Sequence, residues 1–188
     1  FAGVLPNGPK LLKLNLETNT IVEKFTFEGS LEPNSYLNDV RVDVRRNCAY
    51  LSDSGSGAIV VIDLNTGKLR RLLAGHSSTM SENVAVVIDG EQWLLGGVAP
   101  QVHSDGIALT PDGEYLYYQA LTGRNLYRIA THWLHADIEA EELEKHVESI
   151  IASGIADGIV FGSDGYLYLS ALEENAVNRL TFSNELET

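Results

Sequence analysis

Asp105-Gly-Ile-Ala-Leu-Thr-Pro-Asp-Gly-Glu-Tyr-Leu-Tyr-Tyr-Gln-Ala-Leu121 decides the fold, because Asp157-Gly-Ile-Val-Phe-Gly-Ser-Asp-Gly-Tyr-Leu-Tyr-Leu-Ser-Ala-Leu172 repeats it with one residue deleted. A more distant third copy is Asn38-Asp-Val-Arg-Val-Asp-Val-Arg-Arg-Asn-Cys-Ala-Tyr-Leu-Ser-Asp53. Each copy reads as a short alternating strand, a polar turn and a second strand rich in Tyr and Leu. Asp112-Gly113 between two apolar runs is hairpin chemistry, since both residues tolerate the backbone angles of a tight turn.

Working outward, each copy is followed by a second strand pair. Ala58-Ile-Val-Val-Ile-Asp-Leu64, the turn at Asn65-Thr-Gly67 and Lys68-Leu-Arg-Arg-Leu-Leu73 form one such pair. Pro9-Lys-Leu-Leu-Lys-Leu-Asn-Leu16, the turn Glu17-Thr-Asn19 and Thr20 to Phe27 have the same form, so residues 1–27 read as the outer half of a unit. A repeated unit of four antiparallel strands, roughly 40 to 50 residues long, is the size of one propeller blade. The expectation is an all-β protein, part of a β-propeller, with three to four blades in this chain.

The expected divisions are an outer half-blade over 1–27, a blade over 38–73, an inserted hairpin within 76–104, a blade with a helical excursion over 105–151, and a partial blade over 157–188. The insertion centres on Asn83–Ile88, an Asp89-Gly90 turn and Gln92–Leu95. The helical stretch is Thr131–His146, placed between the third and fourth strands of its blade. A closed ring needs four to eight blades, so the intact protein is expected to extend beyond both ends of this chain. The opening at Phe1 suggests processing or truncation.

Composition narrows the function classes. Hydrophobic content of 44% with 21% charged residues is a globular profile. No run approaches the roughly 20 apolar residues of a membrane helix. A net charge of −13 with no basic stripe argues against nucleic acid as a partner. The acidity suits cations, metal or amine, as well as a plainly solvated surface. Cys48 is the single cysteine and sits in a strand-like apolar run, which favours a buried, inert thiol.

The innermost strand of a blade lines the propeller channel, and those strands begin here at Asn38, Asp105 and Asp157. Oxygen donors from three successive blades suit a hard divalent cation such as Ca2+. Zinc is disfavoured, because no His or Cys has ligand spacing, and His132 and His135 read as a chance surface pair. Asx residues at a strand start also cap turns, and that reading stays open for all three. His103 and Asn175 are further candidates for lining a small-ligand pocket.

The sequence resembles the major royal jelly/yellow protein family. The likeness rests on Pro9–Leu16, Asn38-Asp-Val-Arg-Val-Asp43, Tyr50-Leu-Ser-Asp-Ser-Gly55, Ala58–Leu64, Asp105-Gly-Ile-Ala-Leu109, Leu116-Tyr-Tyr118 and Glu174-Asn-Ala-Val177. The resemblance implies a six-bladed propeller, a secreted or periplasmic location and a small-molecule ligand, biogenic amines among the possibilities. The single cysteine, and Arg179 in place of a tryptophan-bearing segment, make it read as a bacterial-type member.

The sequence is also similar, more distantly, to the gluconolactonase/senescence-marker propellers, which hold a divalent cation with Glu, two Asn and Asp. That similarity matches Asn38 to the first Asn, puts Asp105 where the second Asn stands, and matches Asp157 to the metal-binding general base. It implies a Ca2+-dependent lactone hydrolase as the alternative to a binding protein.

Overall fold

The computed structural model describes residues 4–6, 8–27 and 29–188. Residues 1–3 and 7 of the expected half-blade lie outside the described residues. Strands β1 (Lys10–Asn15) and β2 (Thr20–Thr26) form a two-stranded antiparallel sheet. Three four-stranded antiparallel sheets follow. The first holds β3 (Leu37–Asp43), β4 (Cys48–Asp53), β5 (Ala58–Asp63) and β6 (Leu69–Leu72), in that order. After a small hairpin, β7 (Val87–Ile88) with β8 (Glu91–Gln92), comes the second sheet: β9 (Ser104–Leu109), β10 (Tyr115–Ala120), β11 (Asn125–Ala130) and β12 (Val147–Ala152). The third sheet is β13 (Ile159–Phe161), β14 (Leu167–Ala171), β15 (Ala176–Leu180) and β16 (Leu186–Glu187). Each sheet is a meander, and β9 lies against β3 on one side and β13 on the other. The all-β fold is part of a β-propeller.

The cores lie between blades. Side chains of a strand alternate in direction, so a strand packed on both faces reads as a continuous apolar run. Strands β4 and β5 show this, with every residue buried except Asp63. Ala49, Leu51, Val60 and Ile62 face Phe25 and Phe27 of the half-blade. Tyr50, Ile59 and Val61 face Ile107, Leu116 and Tyr118 of the next blade. Ala108, Tyr117 and Leu126 then meet Ile159, Leu167 and Leu180 of the third. Each large apolar side chain so buried contributes roughly 1.5–3 kcal/mol.

Two excursions differ in detail from their sequence reading. The inserted segment pairs over only two residues per strand, because it is exposed and turns sharply: Asn83, Asp89 and Gly90 take φ values of 54°, 52° and 81°. The helical stretch is two five-residue helices, α1 (Thr131–His135) and α2 (Ala140–Glu144), located between β11 and β12. Ala136 and Glu139 are extended between them, and neither helix has a side-chain N-cap. Helices this short depend on tertiary packing, here the burial of Leu134 and Leu143.

Candidate functional site

Two of the three inner strands share one irregularity at their N-terminal ends. In β3, Asn38 and Asp39 stand opposite the single residue Ser52, and in β9, Asp105 and Gly106 stand opposite Gln119. Such a bulge re-aims the side chains at the end of a strand. Ahead of β13, the amides of Asp157 and Gly158 both donate to Ser170 Oγ, at 2.9 and 3.1 Å, as the Asp39 amide does to Ser52 Oγ at 3.0 Å. In the first and third of these inner strands, a serine on the neighbouring strand thus accepts the amides that an Asx side chain would otherwise cap.

Asn38 and Asp105 are brought together, with the Asn38 amide donating to Asp105 Oδ1. Asn38 and Asp157 are exposed, whereas Asp105 is only 3% exposed. Burial, followed by repulsion from Asp157 and Asp39, pushes the Asp105 carboxyl up to about 7, against hydrogen bonds from Asn38 and Ser54 that act the other way. A carboxylic acid that changes charge near neutral pH at a channel mouth is the kind of perturbed group that marks functional sites.

Glycine sets the spacing. A Cβ on Gly106 would lie 3.0 Å from the Asp157 carbonyl oxygen and 3.3 Å from the Ile159 amide nitrogen. The absent side chain lets β9 and β13 close together, and with them Asp105 and Asp157. Below the mouth, Asp39 Oδ2 accepts from the Ile107 amide at 3.2 Å and Asp39 Oδ1 pairs with Arg41 at 2.6 Å. Arg41 reaches on to the Ile159 carbonyl at 2.9 Å, so this ion pair ties all three inner strands.

Asp39 is the residue that alternation alone misses. A regular strand sends it to the face opposite Asn38, and only the bulge returns it to the same neighbourhood. The usable signal was that the other two copies carry glycine at its position, Gly106 and Gly158.

His103 and Asn175 have other partners. His103 Nδ1 accepts from the Ser81 amide at 3.0 Å, and its backbone amide donates to the Ser54 carbonyl at 3.0 Å. Burial holds its ring below the usual imidazole range, with Asp53 opposing. Asn175 closes a 3₁₀ turn (Leu172–Glu174) in the left-handed conformation, φ 51°, and its amide donates to Asp89 Oδ1 at 2.7 Å. That bond anchors the inserted hairpin across the third blade. Glu173 adds to it by pairing with Arg124 at 2.6 Å and accepting from the Val87 amide at 3.0 Å.

The donor chemistry at the mouth is oxygen throughout. Among the described residues, no three His, Cys, Asp or Glu side chains are grouped closely enough to hold a metal ion. His132 lies tilted against Trp133 and His135 edge-on to Tyr50, so the two histidines have different neighbours. Cys48 is buried, and burial raises its thiol pKa. Among the described residues no helix is long and apolar enough to cross a membrane.

Solved propeller structures resemble this chain in fold. A hydrazine synthase from Kuenenia stuttgartiensis matches at 14% identity with a TM-score of 0.59, over 92% of this chain and 51% of that one. A calcium-binding protein, regucalcin, from Agrobacterium tumefaciens matches at 19% identity and TM-score 0.59, over 93% and 51%. A gluconolactonase from Xanthomonas campestris matches at 13% identity and TM-score 0.54, over 84% and 47%. The chain therefore spans about half the length of these structures. No curated protein matches by sequence. The family model described as major royal jelly protein matches residues 5–188, so this chain, with its three Asx-headed inner strands, belongs to the major royal jelly protein family.

Proposed function

We propose that the protein binds a small cationic ligand at the channel mouth, with Asp105 and Asp157 facing the positive charge. The observation that carries this reading is the burial of Asp105 beside two further carboxylates, with no basic partner of its own among the described residues. A buried acid repelled by its neighbours gains from a cation more than an exposed one does, because the cation relieves both the repulsion and the unfavourable ionisation. Asn38 supplies an adjacent polar contact, and the Asp39–Arg41 pair forms a floor that carries little net charge. His103 and Asn175 support the rim through Ser81 and Asp89. An exported location, secreted or periplasmic, goes with this reading through the family resemblance.

A hard divalent cation such as Ca2+ is the alternative occupant, since Asn38, Asp105 and Asp157 all offer oxygen. The likeness to a calcium-binding regucalcin and a gluconolactonase is the observation that favours it. In that case Asp157, the exposed member, is the candidate general base for lactone hydrolysis.

Calorimetry against a panel of primary amines and against CaCl2 separates the readings. Amine binding weakened about tenfold or more in Asp157→Asn, with unchanged circular dichroism, supports the first. Calcium binding together with turnover of a lactone panel supports the second. Heat from neither ligand would sink both.

A further inference from the structure

A second cleft, with charged residues around an apolar lining, lies at the opposite ends of the strands, between the first blade and helix α1. It measures about 150 Å3 and is lined by Arg46, Cys48, Val61, Asp63, Lys68, Arg70 and His135. Three of these are permanent cations and one is a carboxylate, in a chain whose net charge is −13.

The cations are held in place by bonds that leave donors free. Arg46 pairs with Asp43 at 2.8 Å, donates to the Gly113 carbonyl at 2.9 Å and stands 3.7 Å from the exposed Glu114 carboxylate. Arg70 donates to the carbonyls of Leu134 and Ala136, at 3.2 and 3.0 Å, which fixes its guanidinium at the end of α1. A guanidinium has five N–H donors, so each retains some for a ligand. The Lys68 ammonium is exposed and has no hydrogen bond or ion pair among the described residues. Asp63 is the one carboxylate in the lining; its Oδ1 accepts from the amides of Asn65 and Thr66 at 2.8 and 2.9 Å, and its charge offsets part of that of the three cations. His135 completes the wall, with Nε2 2.9 Å from the Tyr50 hydroxyl and 3.7 Å from Cys48 Sγ.

We propose that this cleft is a binding site for a small oxyanion, a phosphate or carboxylate group, recognised by Arg46, Lys68 and Arg70 with His135 beside it. Fixed guanidinium groups favour planar, multi-donor recognition of such oxygens, and their prior anchoring removes much of the ordering cost of binding. The cations of the cleft act on His135 directly. After burial, Arg46 is the largest influence holding His135 below the usual imidazole range, with Arg70 adding to it and Asp43 and Asp63 opposing. A bound anion therefore raises the His135 midpoint, which gives a readout independent of any activity.

The test is proton NMR of the His135 ring during titration with inorganic phosphate, at low ionic strength. Saturable shifts by about 10 mM phosphate are expected, together with an upward move of the His135 midpoint. In Lys68→Glu, an exposed substitution that leaves the core untouched, affinity falls tenfold or more while the unfolding midpoint holds. Equal affinity in Lys68→Glu overturns the proposal. So does a response reproduced by sodium chloride at matched ionic strength, or the absence of any saturable shift. None of these outcomes depends on whether the channel mouth binds an amine.

Discussion

Replacing Asp105 with asparagine is expected to stabilise the fold above neutral pH. The carboxyl stands at about 7 in the folded protein against an ordinary value of 3.8. A group whose folded pKa is raised contributes stability that is fully present below the unfolded value and is lost as pH rises through the folded one. Each unit is worth about 1.4 kcal/mol, so a shift of roughly three units makes the wild-type chain lose about 4 kcal/mol between pH 4 and pH 8. Asparagine fills the same volume and keeps an oxygen to accept from Asn38, while removing the charge that burial and Asp157 oppose. In a chain of this size, 1 kcal/mol moves the melting temperature by about 2–4 °C, so a gap of about 10 °C between variant and wild type is expected at pH 8. The assay is thermal unfolding of both proteins across pH 4–9, read as the difference so that other carboxylates cancel. Curves that run parallel, or a variant less stable at pH 8, would refute the reasoning about Asp105.

Three other outcomes follow from the geometry. Asp53, fully buried, accepts from the Ser35 and Ser56 hydroxyls at 2.6 Å each and from the Tyr36 amide at 2.9 Å. Asp53→Ala strands these donors and removes the carboxylate 3.5 Å from Arg71 Nε, and urea unfolding is expected to show a loss of about 3–5 kcal/mol. Gly106→Ala forces β9 away from the Asp157 carbonyl, which costs about 1–3 kcal/mol in the same assay and weakens ligand binding at the mouth. Glu173→Gln loosens the inserted hairpin from Arg124, so amide exchange at Val87 is expected to accelerate while global stability changes by about 1 kcal/mol or less.

The blades were legible because their register is written in short-range chemistry. The Asp112-Gly113 turn and the Tyr-Leu strand that follows it recur at Asp164-Gly165 and Leu167–Ala171. The paired burial of Tyr50 on one face and Ala49 on the other explains why β4 reads as a continuous apolar run. The inserted hairpin was less legible, since Asn83–Ile88 has strand composition but no sheet to join, and only Val87 and Ile88 pair. Helix α1 ends at His135 because Ala136 turns extended, its amide bonding back to the Trp133 carbonyl while Arg70 takes the Leu134 and Ala136 carbonyls, a limit that the spacing of Ile138, Leu143 and Val147 does not encode.

At the channel mouth, the sequence marked Asn38, Asp105 and Asp157 through their recurrence, and the buried Asp105 brought Asn38 and Asp157 into one electrostatic unit. What recurrence could not reveal is burial. Asp105 and Asp157 stand at matching positions in their copies, yet one is buried and the other exposed. Asp39 joined them only through a bulge, which changes the face of a side chain without changing the pattern of residue types. The cationic cleft was equally silent, since Arg46, Lys68 and His135 are far apart in sequence and meet only when α1 docks on the first blade.

The measurement that tests the central claim most directly is the number of protons released when a primary amine binds, from calorimetry in buffers of different ionisation enthalpy. A cation placed against a carboxyl that is still largely protonated at pH 6 drives that proton off. The account predicts release approaching one proton per ligand at pH 6, falling toward zero at pH 9, and abolished in Asp105→Asn. Amine binding that releases no proton at pH 6, or releases the same number in Asp105→Asn, would contradict a ligand site built on Asp105.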